Sequence, residues 1–109
     1  MITSLTLIGI LDEFKTATGI PSVYREFASP PTTDQYIAWL DLGNDPFAAD
    51  NISYVGNQSF AIEFYSKRTR DFADEKKLED KLTAHGIYWR QLAPTYINDQ
   101  AVHVTVYYI

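Results

Sequence analysis

The residues best suited to chemistry are two histidines, since imidazole binds metals and moves protons near neutral pH. They are His85 and His103, far apart in the chain. His85 falls in the last turn of an expected helix, where positive charge is favoured. His103 falls on a strand face beside Thr105. Both read as structural. Asp71, Asp74, Glu75, Glu79 and Asp80 could supply a carboxylate pair, which needs a pocket and opposed environments. Lysines interleave them, the pattern of a solvated helix face. Glu63 stands mid-strand between apolar neighbours, and is expected to face solvent or to pair with a basic group on a neighbouring strand or chain. Gly56, Asn57, Gln58 and Ser59 lack the Gly-Lys-Ser/Thr and the following helix of a phosphate loop, and read as a hairpin turn. Lys67, Arg68 and Arg70 form a basic cluster that could touch phosphate or an acidic partner, or simply be solvated. The chain has no cysteine, so a disulfide framework, a thiolate metal site and a Cys nucleophile are excluded. The residues therefore predict no catalysis, no cofactor and no bound metal.

The elements that must carry these residues fit one domain spanning residues 1–109. A hydrophobic fraction of 46% predicts a packed core. The eight tyrosines offer apolar area with a polar tip, suited to a wet sheet face or to an interface. A formal charge of −5 works against gripping a nucleic-acid backbone. No basic residue precedes the apolar N-terminal run, and Asp12 and Glu13 follow it, so no signal peptide is expected. No apolar run approaches the roughly 18 residues of a membrane span.

Residues 59–66 are the strand around which the rest is organised. Phe60, Ile62 and Phe64 share one face, and Ala61, Glu63 and Tyr65 the other. Before it, Thr3 or Ser4 caps a helix over 4–18, and Gly19 suits a left-handed C-terminal position. Leu7, Leu11 and Phe14 make one stripe, with Ile2, Leu5 and Ile8 adjoining it. Strands are expected over 23–28, 35–42 and 52–55. Pro30 and Pro31 turn the chain between the first two, and Gly56 and Asn57 turn it into the central strand. A second helix is expected over 71–85, with Asp71 as its cap, Phe72, Leu78 and Leu82 as its buried side, and Gly86 as its stop. Strands over 87–92 and 101–109 close the chain, with Pro94 marking an edge or bulge. This order predicts an α+β fold: an antiparallel or mixed sheet of five or six strands with two helices on one face.

Several stretches carry a resemblance. They are residues 47–54 (Phe47, Ala48, Ala49, Asp50, Asn51, Ile52, Ser53, Tyr54), the aromatic strand 60–65, and the helical run 75–82. Gly86, Ile87, Tyr88 and Trp89, the Tyr-rich final strand, and the Pro30, Pro31 turn before Tyr36 and Ile37 complete it. This succession resembles the small tail-completion proteins of long-tailed phages and prophages of Gram-positive bacteria, also called tail terminators or head–tail joining proteins. It covers nearly the whole chain, and residues 49–54 are its most specific part. Val55 and Gly56 before the hairpin turn depart from that pattern, as does Phe64 where a smaller aliphatic residue is common.

The resemblance implies a structural protein, not an enzyme. Such a protein caps the head-proximal end of the tail tube and joins the tail to the head connector, typically as a hexameric ring. Its implied partners are further copies of itself, the major tail protein and the head–tail connector proteins. DNA would pass through without specific binding, and no membrane is involved. Its implied place is the tail or neck of the virion, and the host cytoplasm during assembly. Candidate interface residues are Phe47, Asp50, Asn51, Tyr54, Leu5, Ile8, Lys67, Arg68 and Arg70. Phe47 stands in a long polar loop and is expected to project to a partner. Two alternatives remain open. One is an adaptor or stopper of the same neck. The other is a small-molecule-binding domain or enzyme, which a buried polar pocket containing His103 and Glu63 would favour.

Overall fold

A computed structural model of the chain describes residues 2–26, 29, 31–43, 59–67 and 69–109. The elements run α1 (Ser4–Thr18), β1 (Ser22–Tyr24), β2 (Gln35–Gly43), β3 (Ser59–Lys67), α2 (Phe72–Ala84), β4 (Arg90–Gln91), β5 (Thr95–Ile97), a 3-10 turn (Asn98–Gln100) and β6 (Val102–Tyr108). Among the described residues the fold is α+β: a six-stranded mixed sheet with two helices. The sheet order is β1-β2-β3-β6-β4, with β5 also on β6. β1 pairs parallel with β2, and the other pairs are antiparallel.

Strand alternation sorts the sheet into two faces. Register sets Ile37, Phe64 and Thr105 in one row and Trp39, Ile62 and Tyr107 in the next. All of these but Thr105, which bonds to Glu75, form one core cluster with Leu7, Ile10, Leu11 and Phe14 of α1 and Leu78 and Leu82 of α2. Both helices therefore cover the same face, and the core lies between them and the sheet. Phe14 meets Phe64 edge-on, with ring centroids 6.3 Å apart. The opposite face carries Tyr36, Tyr65 and Val104 in one row and Ala38, Glu63 and Val106 in the next.

Local chemistry sets the helix ends. Thr3 accepts the Thr6 N–H at 3.2 Å and caps α1. Gly19, at φ +79°, closes it by donating to the Lys15 carbonyl. That left-handed angle is cheap only without a Cβ. Asp71 caps α2 by accepting the Asp74 N–H at 2.9 Å. At the other end Gly86 (φ +73°) donates to Thr83 and Ile87 donates to Leu82. This paired Schellman closure needs the residue after the glycine to turn back onto the helix. Ile87 does so and packs on the core. For that reason the strand expected over 87–92 is confined to Arg90–Gln91.

Two further corrections follow from packing. Phe72, expected on the buried side of α2, is 66% exposed. The inward stripe is Glu75, Leu78 and Leu82. β5 was not anticipated as a strand. Leu92 donates to the Val106 carbonyl, and Thr95 pairs with Val104, so Ala93 and Pro94 together face Thr105. That count is a β-bulge, and it absorbs the proline within an edge. β1 is shorter than the strand expected over 23–28, and Phe27 and Ala28 lie outside the described residues. So do Pro30, Arg68 and residues 44–58, with the expected strand 52–55, its hairpin turn and the Phe47 loop. No helix among the described residues is long and apolar enough to cross a membrane.

Candidate functional site

Among the described residues the densest polar constellation lies under α2. Glu75 and Glu79 are one helical turn apart and reach toward β4 and β6. Arg70 clamps Glu75 from the segment before the helix. Its Nε donates to both carboxylate oxygens at 2.9 and 3.1 Å, and its Nη2 donates to Oε1 at 2.7 Å. Thr105 donates to Glu75 Oε2 at 3.1 Å. Gln91 Nε2 lies 3.4 Å from Glu75, 3.3 Å from Glu79 and 3.1 Å from the Tyr107 hydroxyl. Tyr107 in turn donates to Glu79 Oε2 at 2.6 Å.

Glu75 is only 2% exposed, and its bidentate arginine neutralises a charge that would otherwise be very costly to bury. The hydrogen bond to Glu75 raises the Arg70 guanidinium further above its ordinary range. Burial, then the bond to Glu79, pushes the Tyr107 phenol well up, so it stays a donor. Both Glu75 oxygens are engaged from α2's flank and from β6. The array fastens helix to sheet. Sequence reading placed Glu75 on a solvated face. The signal that finds it is spacing: Glu75 stands three and seven residues before Leu78 and Leu82, on their stripe.

A second cluster lies on the sheet face away from the helices. Glu63 pairs across 3.4 Å with Arg25, just past β1, so of the two expected readings it takes the ion pair. Tyr65 donates to Glu63 at 3.2 Å and stacks on Tyr36, with centroids 4.6 Å apart and planes at 9°. Burial, then the charge of Glu63, pushes the Tyr65 phenol up to about 12. His103 belongs to the opposite face, in register with Ser66 and beside the Tyr96 ring, with centroids 4.8 Å apart and planes tilted at 49°. The structure therefore does not bring His103 and Glu63 into one pocket. His85 closes α2 and lies 3.2 Å from Glu13 of α1, a helix-to-helix contact.

The interface candidates separate into three groups. Leu5 and Ile8 project from α1, 82% and 39% exposed, and Gly9 beside them has open space where a Cβ would stand. Lys67 is exposed at the end of β3. Arg70 is committed to Glu75 and also covers the Phe72 ring at 4.2 Å, so it is not a loose surface cation. Lys67, Arg70 and Phe72 do line an open depression of about 510 Å³ at the start of α2. Asp71 already accepts the Asp74 N–H at the start of that helix and puts a carboxylate there, which works against an anion. Phe47, Asp50, Asn51, Tyr54 and Arg68 lie outside the described residues. Comparison with family models, characterised proteins and solved structures yields no match.

Proposed function

We propose that this chain is a phage structural protein that caps the head-proximal end of the tail tube and joins the tail to the head connector. In this reading it works as a hexameric ring in the tail or neck of the virion and has no catalytic role. The sequence resemblance carries the family. The structural observation that supports an assembly role is the apolar ridge of Leu5 and Ile8, held out of the core on α1. A leucine 82% exposed costs about 2 kcal/mol in unrealised burial, which a protein contact would recover. A closed ring is built from unlike patches, so the ridge need not meet its own copy. An acidic chain around a DNA channel would also let DNA pass without holding it.

The test is deletion of the gene from the phage or prophage that carries it, with electron microscopy of the particles. Overlong or unterminated tails separate from filled heads are expected. Tails of normal length joined to heads would overturn the reading. A block at head completion with normal free tails would instead place the protein among the adaptors and stoppers. A gene for a major tail protein just downstream is the cheapest supporting observation.

A further inference from the structure

We draw no further inference here: the strongest candidate, the exposed apolar ridge of Leu5 and Ile8 beside Gly9 on α1, belongs to the surface already described, and nothing in the structure shows what covers it.

Discussion

Arg70 and Glu75 are the pair on which the polar half of the core depends. Replacing Arg70 by Ala leaves a buried carboxylate without its counter-charge, a loss of about 3–5 kcal/mol. Urea unfolding near pH 7 measures it. Adding Glu75→Gln to Arg70→Ala removes the stranded charge and keeps an acceptor for Thr105, so the double variant should recover much of the loss. No recovery would mean that packing of the arginine stem, not charge, is what matters. Tyr65 makes a separate prediction at alkaline pH. Its folded value, about 12, lies above the ordinary value of 10.0. The folded state then holds that proton more tightly than the unfolded chain. This stabilisation is complete below pH 10 and is lost as pH rises toward 12. Tyr65→Phe should flatten the decline in unfolding free energy over that window, with phenolate absorbance following the titration.

At the scale of elements, β3 ties the core together, because β2 and β6 flank it and both helices cover its Phe60, Ile62 and Phe64 face. Phe64→Ala should cost about 3–5 kcal/mol, because it removes a fully enclosed ring and leaves a cavity under α1. The second helix depends on its cap. Burial works to raise the Asp71 carboxyl, but hydrogen bonds from the Asp74 N–H and from Gln35 outweigh it and hold the group below 3.8. Its stabilisation is therefore present above that value and lost as pH falls through the lower folded one. Asp74 is pushed the opposite way, by burial and then by Asp71, and partly offsets this. Asp71→Ala should cost about 1 kcal/mol. Asp71→Asn keeps a capping oxygen without a titrating group, so its acid unfolding curve should lose part of the pH slope.

At the scale of the whole molecule, the sheet edges among the described residues are short or broken. β1 has three residues, and the β4–β5 edge is broken by the bulge at Ala93 and Pro94. Short edges, bulges and proline discourage strand-to-strand addition. Under the proposed assembly role, contacts between subunits would therefore use side-chain surfaces such as the α1 ridge. Leu5→Asp should leave thermal unfolding within about 0.5 kcal/mol of the parent, since the residue touches little of its own fold. In the phage it should reproduce the tail defect of the deletion. A well-folded Leu5→Asp protein that supports normal tails would remove the ridge from the interface. Phe47→Ala, tested the same way, separates a partner contact from a core residue: loss of assembly at unchanged melting temperature indicates the former.

Much of this architecture was legible in the sequence by itself. Alternation in residues 59–66 and helical spacing in residues 4–18 are local patterns, and each matches the face that is buried. The caps Asp71, Gly19 and Gly86 are equally local, because a capping oxygen or a left-handed angle acts within one turn. Pro94 announced its bulge because a missing N–H cannot sit inside a regular ladder. Tertiary structure decided what depends on distant partners. The parallel pairing of β1 is one such choice, since a three-residue strand carries no signal of its neighbour's direction. The burial of Glu75 is another: a carboxylate enters a core only when Arg70, Thr105 and Gln91 converge on it from three other segments. The exposure of Phe72 and the separation of His103 from Glu63 follow in the same way. Helix rotation and strand register are properties of the packed whole, and composition does not encode them residue by residue.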